Sequence, residues 1–437
     1  MPSLFDPLTL RDLTIPNRIF LAPMCQYQCE ARDGVPTDWH LVHLGARAAG
    51  GFGLVIAEAT GVLPEGRITP QCPGLWNDEQ ANAWRRVVEF GHAQGAKMGI
   101  QLAHAGRKGS TYRDFEAGKS GTVPFEDGGW ETFGPSAVPF PGLATPTEAT
   151  PEYLAQVVEA FAAAARRADA AGFDVVEVHA AHGYLLSEFL SPLSNHRTDG
   201  YGGDLAGRAR LLLEVVDAVR EAWPVGKPIF VRISATEWTD GGFTVEDATE
   251  VARMLRRHHV DLVDVSSGGN VLAKIPAAPG YQVPLAAAVR QAGLPVSAVG
   301  LITEPKQAQQ ILDDGNADAV ALARVALREP SWPLRAAAEL DCDACARYPN
   351  SYLRGRWPAV EPVPEVRGDR PDGRGQPTTI SSSTSATGSG SMIVPPKAPS
   401  ASTFTKARNF HSRVSRSWTS RPTYSPGGEI TCAPAMS

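Results

Sequence analysis

The stretch Val175-Val176-Glu177-Val178-His179-Ala180-Ala181-His182-Gly183-Tyr184 combines an apolar run with a polar cluster. Its valines are typical of a buried strand, and two histidines and a tyrosine follow where such a strand would open into a loop. If the chain turns there, the rings of His179, His182 and Tyr184 can project into one cavity. Two imidazoles could then hold a polar atom of a ligand while the phenol delivers a proton. The stretch therefore predicts a catalytic pocket at the end of a strand.

Two other interpretations of the histidine pair stay open on these residues alone. A histidine at a strand end is commonly packed or solvated without a role in chemistry, and His-x-x-His spacing can also bind zinc. Zinc usually takes three or four nitrogen or sulfur ligands from protein, and no cysteine or carboxylate cluster stands nearby. We therefore expect no metal, and the choice between catalysis and packing depends on the rest of the chain.

Eight apolar runs alternate with amphipathic helical patterns as far as about residue 335. The predicted strands are residues 19–27, 54–60, 97–104, 174–179, 229–235, 262–267, 296–301 and 319–324. The predicted helices include residues 78–94, 151–171, 206–223, 245–258, 284–292 and 305–314. Strands that are apolar on both faces and followed by helices indicate a parallel sheet. Eight such units predict an α/β protein with a closed (β/α)8 TIM barrel, and no Gly-x-Gly-x-x-Gly follows a strand as an open Rossmann sheet would require.

Polar residues stand at the carboxyl ends of these strands, where such barrels build their sites. They are Cys25 and Tyr27, Gln101 and His104, Arg232, and Arg324. A glutamine or arginine that points into the barrel needs a polar partner. A ligand with ring nitrogens, carbonyls and a phosphate would provide one. Small residues at 266–269 and 298–300, together with Arg324, predict that the phosphate binds at the last strands.

Two segments outside the repeating units also have predicted positions. Residues 8–15 are typical of a short hairpin, which we expect to close the floor of the barrel. The connection of residues 105–150 is too long for a simple loop and carries Tyr112, Phe125, Trp130 and Phe133 among glycines and prolines. Long structured loops at this face commonly cover an active site.

The composition is that of an ordinary globular protein, with 437 residues, 43% hydrophobic and 20% charged. A net charge of −6 gives no general attraction to nucleic acid or an anionic membrane. No leader pattern and no run of about 18 apolar residues is present, so we expect a cytoplasmic protein. The six cysteines form no dense framework, and Cys342 and Cys345 make a single Cys-x-x-Cys pair without a second one.

The pattern changes near residue 358. We expect one barrel domain over residues 1–357 and a low-complexity basic tail over residues 358–437. After Asp372 the tail has seven Lys or Arg against one acid, Glu429, and it lacks periodic hydrophobicity, which predicts disorder. It could be an inert extension, an arm for an anionic partner, or the product of a shifted reading frame.

Five motifs resemble those of the old yellow enzyme family, and within it the bacterial branch with a cysteine near the flavin, often called thermophilic-like ene-reductases. The resemblance covers residues 4 to 357. The motifs are Ala22-Pro23-Met24-Cys25-x-Tyr27, Gln101-Leu102-Ala103-His104-Ala105-Gly106-Arg107, His179-Ala180-Ala181-His182-Gly183-Tyr184-Leu185, Phe189-Leu190-Ser191-Pro192 and Asn195-x-Arg197-x-Asp199-x-Tyr201-Gly202-Gly203.

This resemblance implies FMN at the top of the barrel, reduced by NADPH or NADH, and hydride transfer to an activated alkene such as an α,β-unsaturated carbonyl or nitro compound. It implies that His179 and His182 bind the substrate oxygen, that Tyr184 donates the proton, and that Tyr27 shapes the pocket. It further implies that Arg354, in Pro349-Asn350-Ser351-Tyr352-Leu353-Arg354-Gly355, reaches a neighbour's site in a homodimer or homotetramer. The implied FMN contacts are Ala22, Pro23, Met24, Cys25, Ala59, Gln101, Arg232, Gly300, Ala323 and Arg324.

Two alternative functions remain to be compared with an ene-reductase. A dienoyl-CoA reductase relative would add an iron–sulfur cluster and a nucleotide-binding domain, but the chain lacks the further cysteines for four thiolates and a Rossmann pattern in its tail. A flavin-binding protein without turnover would have no need of His179, His182 and Tyr184. Mutation of either histidine therefore separates the second hypothesis from catalysis.

Overall fold

The computed structural model describes residues 2–357, which contain a closed barrel of eight parallel strands. Each strand pairs with its neighbours in chain order, and the last pairs with the first to close the sheet. The predicted TIM barrel is therefore confirmed. The barrel strands are β1 (Ile19–Leu21), β2 (Leu54–Gly61), β3 (Lys97–Ala103), β4 (Val175–Ala180), β5 (Ile229–Ser234), β6 (Leu262–Ser266), β7 (Val296–Ala298) and β8 (Ala319–Leu322).

The helices surround the barrel, and several begin at the capping residues that the sequence supplies. Thr37, Asn77, Thr150, Asp204 and Thr244 each accept a backbone N–H of the first turn through the side chain, which satisfies a donor that the helix itself leaves free. The helices are α1 (Asp38–Ala49), α2 (Asp78–Ala93), α3 (Pro151–Ala171), α4 (Leu185–Leu190), α5 (Leu205–Ala222), α6 (Val245–Arg257), α7 (Val283–Arg290), α8 (Pro305–Asp313), α9 (Arg324–Arg328) and α10 (Trp332–Glu339).

The predicted helices agree with this list to within one or two residues at each end. The helices named from the sequence did not include α1, α4, α9 and α10. Of these, α4 and α9 have only six and five residues, which is too few for a helical period to be recognised. Arg324 was predicted as the end of a strand, but it is the first residue of α9.

The floor of the barrel is closed as predicted. Strands Leu8–Leu10 and Leu13–Ile15 form an antiparallel hairpin. Their leucines and Ile15 pack against residues at the amino ends of the barrel strands, among them Phe20 and Phe230, whose rings stack 6.3 Å apart. The hairpin therefore covers apolar side chains that the open end of the barrel would otherwise expose to water.

Two of the strands, the first and the seventh, end several residues earlier than predicted. The first strand was expected to reach residue 27, but it ends at Leu21, and Tyr27 has a backbone φ of 54°. The seventh was expected to reach residue 301, but it ends at Ala298, and Gly300 has a φ of 119°. The apolar pattern continues past each strand because these segments are also buried, although they leave the sheet as loops.

The connection over residues 105–150 has little regular structure. It contains 3-10 turns at Gly106–Lys108 and Phe125–Asp127 and two paired short strands, Phe133–Gly134 and Thr147–Glu148. Further along, Cys342 and Cys345 are joined by a disulfide.

No helix in residues 2–357 has both the length and the hydropathy needed to cross a bilayer. The predicted basic tail, residues 358–437, lies outside the described residues.

Candidate active site

The three aromatic side chains at the end of β4 face one another. The rings of His179 and His182 have centroids 5.2 Å apart and lie nearly perpendicular, and the Tyr184 ring is 5.0 Å from that of His179. His179 lies within the strand, opposite Arg232 of β5, whereas His182 has a φ of 60° in the turn that follows. This left-handed turn brings the second imidazole back toward the first.

Both imidazoles are neutral at physiological pH. Burial, with the positive charges of Arg232 and Lys108, holds the pKa of each histidine well below its usual range. Nδ1 of His179 accepts a hydrogen bond from the Ala181 N–H at 3.3 Å, so the proton of the neutral ring is on Nε2. Nε2 of His182 lies 2.7 Å from Oγ of Ser266 on β6. The opposite nitrogen, Nδ1, is buried and has no hydrogen-bond partner within residues 2–357.

Lys108 lies beside these rings, and the sequence analysis missed it. The side chain is only 3% exposed, and its Nζ donates to the carbonyl oxygens of His182 at 2.8 Å and Gly269 at 2.9 Å. The ammonium is 4.9 Å from the centroid of the Tyr184 ring. Burial lowers its pKa to about 8. The only sequence signal was its position just after the motif on β3, which does not distinguish a buried lysine from a solvated one.

Tyr27 and Cys25 lie in the same part of the pocket as Tyr184. Tyr27, Ala59, Cys72 and Tyr184 belong to one buried cluster, and half-buried Cys25 packs against it. Burial, reinforced by nearby Cys72 and Glu58, raises the pKa of the Cys25 thiol well above its usual range. Cys25 is therefore a neutral thiol and not a reactive thiolate.

Two of the predicted polar residues point into the barrel lumen and meet protein partners there. Nε2 of Gln101 donates to Oε1 of Glu177 at 2.7 Å, and Nε of Arg232 lies 3.0 Å from Oδ2 of Asp264. A bound ligand was expected to satisfy both side chains. That expectation was incomplete, because neighbouring strands already supply a carboxylate to each.

The last strands end in a second polar region. Adding a Cβ to Gly300 would place it 2.9 Å from Nε2 of Gln282, and its φ of 119° disfavours any L side chain. Oε1 of Gln282 in turn accepts the Ser267 hydroxyl at 2.5 Å. Arg324 follows Ala323 and is exposed, with no hydrogen bond or ion pair inside the described part of the chain.

The remaining predicted residues occupy different positions. Ala22 and Met24 are buried in the loop after β1, with Pro23 between them. His104, which stands at the end of β3, hydrogen-bonds Tyr153 at 2.9 Å and belongs to the support of the loop. Arg354 is exposed in the 3-10 turn Asn350–Gly355 and makes no hydrogen bond or ion pair with this pocket within residues 2–357.

The fold and this site define an α/β-barrel protein with a buried polar pocket at the carboxyl ends of its strands. The family model described as "NADH:flavin oxidoreductase / NADH oxidase family" matches residues 3–343. The NADPH dehydrogenase of Geobacillus thermodenitrificans is 48% identical over 354 residues, which are 80% of this chain and 98% of the relative. The chain therefore belongs to the NADH:flavin oxidoreductase / NADH oxidase family, and the predicted old yellow enzyme relationship is confirmed.

Solved structures agree with this assignment. The old yellow enzyme homologue of Zymomonas mobilis is 30% identical with a TM-score of 0.65, covering 76% of this chain and 92% of that one. A 2-naphthoyl-CoA reductase complex is 27% identical with a TM-score of 0.69, covering 76% of this chain. This chain spans only 51% of that reductase's length. As a member of the family, the protein is an FMN-dependent oxidoreductase with a reduced nicotinamide as electron donor.

The residues present fit an FMN. Gly300 has a φ of 119° and lies against the Gln282 side chain, so a Cβ there would disturb this loop, and Arg324 is a cation without a protein counter-ion in residues 2–357. These features suit a phosphate, for which arginine and backbone N–H groups are common ligands. At the other end, Gln101 and Arg232 carry side-chain N–H donors, which would suit the carbonyl oxygens and ring nitrogens of a flavin.

Proposed function

We propose that this enzyme reduces the carbon–carbon double bond of α,β-unsaturated carbonyl or nitro compounds, with NADPH or NADH as electron donor. The main support for the proposal is that two neutral imidazoles, those of His179 and His182, lie next to the phenol of Tyr184 at the end of β4. The 48% identity to an NADPH dehydrogenase supports NADPH as a donor. Bound FMN supplies the hydride chemistry, and the protein supplies orientation and electrostatics.

The imidazoles of His179 and His182 bind the substrate oxygen. Because Nδ1 of His179 is an acceptor, Nε2 carries the proton that it donates. In the proposed tautomer, the Ser266 hydroxyl donates to Nε2 of His182 at 2.7 Å and not to Oε1 of Gln282, which is 3.5 Å away, so the proton of that ring is on the unpartnered Nδ1. Two donors then face the oxygen on which negative charge develops as the β-carbon is reduced, as in an oxyanion hole. Two neutral imidazoles with these tautomers can therefore stabilise the charge by donating one hydrogen bond each.

Tyr184 donates the proton to the α-carbon. Burial raises the pKa of its phenol well above the usual range, so the hydroxyl remains protonated at neutral pH. The Lys108 ammonium against the ring favours the phenolate that proton transfer leaves behind. Tyr27 and half-buried Cys25, which pack in the same cluster as Tyr184, shape the substrate pocket.

The remaining residues hold the cofactor. Ala22, Pro23, Met24, Cys25 and Ala59 form its apolar surroundings, and Gln101 and Arg232 bind the polar edge of the ring. Gly300, Ala323 and Arg324 bind the phosphate. Arg354 completes the substrate pocket of a neighbouring subunit in a homodimer or homotetramer.

Visible spectroscopy and anaerobic half-reactions test the proposal. The purified protein should be yellow, lose its flavin absorbance with NADPH and regain it with cyclohexenone. His179→Asn and His182→Asn should keep bound FMN but lower the rate of the cyclohexenone step by about 100-fold or more, the usual effect of losing an oxyanion donor. His259→Asn is the matched control, because His259 is exposed and its carbonyl binds Arg11 at the barrel floor.

Two results would contradict the proposal. A protein that binds no added FMN would disprove flavin dependence. Unchanged cyclohexenone reduction in both histidine variants would instead favour a flavoprotein whose pocket does not perform this chemistry.

A further inference from the structure

Glu177 is a buried carboxyl group in the barrel lumen, to which the proposed function assigns no role. It lies two residues before His179 on β4, so both side chains point to the same face of the strand, with Glu177 one layer deeper. The residue is fully buried. Its Oε1 accepts a hydrogen bond from Gln101, and its Oε2 has no hydrogen-bond partner within residues 2–357.

The lumen around Glu177 contains fewer positive than negative groups. The strands beside and across from it contribute Gln101 from β3, Arg232 from β5, Asp264 from β6 and Ser297 from β7. Of these, only Arg232 and Asp264 carry charge. Asp264 forms an ion pair with Arg232, in which Oδ2 lies 3.0 Å from Nε without hydrogen-bond geometry, and its Oδ1 accepts the Ser297 hydroxyl at 2.7 Å.

One guanidinium therefore faces two carboxyl groups in a buried space. The charge of Arg232 is balanced when Asp264 alone is ionised. A second carboxylate would be uncompensated, and a buried uncompensated carboxylate takes up a proton. Consistent with this geometry, burial, followed by the charge of Asp264, raises the pKa of Glu177 well above its usual range.

We propose that Glu177 is a neutral carboxylic acid in the working enzyme and a positioning residue whose proton keeps Arg232 available to the flavin. This inference rests on the proposed function, because it requires FMN above Arg232. Two-electron reduction with uptake of one proton adds a negative charge to the ring at neutral pH. An ionised Glu177 beneath Arg232 would offset the positive charge that favours reduction.

Protonation of Glu177 and reduction of the cofactor are therefore linked. Negative charge on the ring makes ionisation of Glu177 less favourable, so the pKa of its carboxyl is higher in the reduced than in the oxidised enzyme. At a pH between those two pKa values, reduction of the ring is accompanied by protonation of Glu177. The nicotinamide supplies the electron pair to the ring, and solvent supplies one additional proton to the Glu177 carboxylate. The reduction potential must fall more steeply with pH over that interval.

The test compares the midpoint potential of the FMN-loaded wild type and Glu177→Gln from about pH 6 to about pH 10. The wild type should show a steep segment, which is a pH interval where the midpoint potential falls by about 30 mV more per pH unit than it does outside the interval. For a two-electron couple this slope corresponds to a further tenfold change in the redox equilibrium per pH unit. The variant keeps an amide that Gln101 can bind, and it should lack this segment. A Glu177→Gln protein that binds FMN and retains the steep segment would overturn the inference.

Glu188→Gln is the matched control. Glu188 is also fully buried, and burial raises the pKa of its carboxyl to about 8. It lies on α4 outside the lumen, where it accepts the Arg107 N–H at 2.9 Å. The steep segment should therefore persist in Glu188→Gln. Loss of the segment in this variant would also overturn the assignment to Glu177.

A second measurement needs no flavin. Because the folded pKa of Glu177 is raised, the folded apoprotein binds one proton more than the unfolded chain above about pH 4.5. The wild type should lose stability relative to Glu177→Gln as pH rises from there toward the folded pKa. Parallel stability curves would show that Glu177 is not held neutral. Failure of both proteins to bind FMN would refute the proposed function but leave this measurement valid.

Discussion

At the scale of single residues, Lys108 illustrates how burial changes the chemistry of an ordinary side chain. Its ammonium is enclosed by two carbonyl oxygens and two aromatic rings, those of Tyr184 and Phe140. This environment supplies acceptors but no carboxylate in direct contact, so burial remains the dominant effect and lowers the pKa of the amine to about 8. The same charge helps to keep both histidines neutral.

Lys108→Met should remove a pH dependence of stability. Since the folded pKa is about 8 and the unfolded value is 10.5, the unfolded chain binds more protons between them, and wild-type stability rises with pH there. As pH rises across this interval, the unfolding free energy of the wild type should increase relative to that of the variant by up to about 3 kcal/mol. Urea unfolding of the apoprotein at both ends of the interval measures it. A constant difference would show that the lysine has an ordinary pKa when folded.

At the scale of elements, the pocket is built by the loops that follow the strands more than by the strands themselves. The loops after β1, β4 and β7 contain Tyr27, His182 and Leu301, three residues other than glycine with positive φ. Such conformations are uncommon and cluster where surrounding contacts hold them in place. Positive φ is not confined to this end of the barrel, because Arg11 and His259 at the floor also adopt it, but these three residues lie in the loops that build the pocket.

Gly300→Ala should weaken FMN binding. The new Cβ meets the Gln282 amide at 2.9 Å and sits at a φ of 119°, so either the loop or Gln282 must shift. We expect a loss of affinity of about tenfold or more, corresponding to about 1.4 kcal/mol of strain or displacement. Titration of the apoprotein with FMN, followed by flavin fluorescence, measures this change.

Gly315→Ala is the control for that substitution. Its φ of 69° is also positive, but nothing lies within 4 Å of the added Cβ. It should cost some stability and leave FMN affinity unchanged. Equal affinity in Gly300→Ala and the wild type would remove Gly300 from the proposed phosphate site.

At the scale of the whole molecule, the exposed position of Arg354 bears on assembly. Inside the described range, residues 2–357, it makes no hydrogen bond or ion pair with the pocket, and nearby Tyr352, Leu353 and Trp357 are exposed as well. An apolar exposed segment of this kind is typical of a surface that meets another protein. The proposed function places Arg354 in the pocket of a second copy.

Subunit mixing tests that placement. Arg354→Ala should raise the KM for cyclohexenone, and His182→Asn should be nearly inactive. If Arg354 acts across an interface, a mixed oligomer contains an Arg354→Ala pocket completed by the arginine of the His182→Asn subunit. Co-refolded mixtures should then have a lower KM than Arg354→Ala alone. A KM unchanged by mixing, or a monomer by light scattering, would contradict the proposal.

The sequence by itself determined the barrel, most helix ends, the floor hairpin and the group at the end of β4. These features are local: strand and helix periods, capping residues and a turn place neighbouring residues such as His179, His182 and Tyr184 together. The family relationship was also readable from contiguous motifs.

The tertiary structure alone decided the partners inside the lumen and the burial of Lys108. Gln101 and Glu177 are 76 residues apart, and they meet only because β3 and β4 pair in one register. The pairing of β5 with β6 likewise sets Asp264 beside Arg232. Barrel closure removes water from these groups, and the loss of hydration determines which of them keep their charge. No local pattern in the chain records that loss.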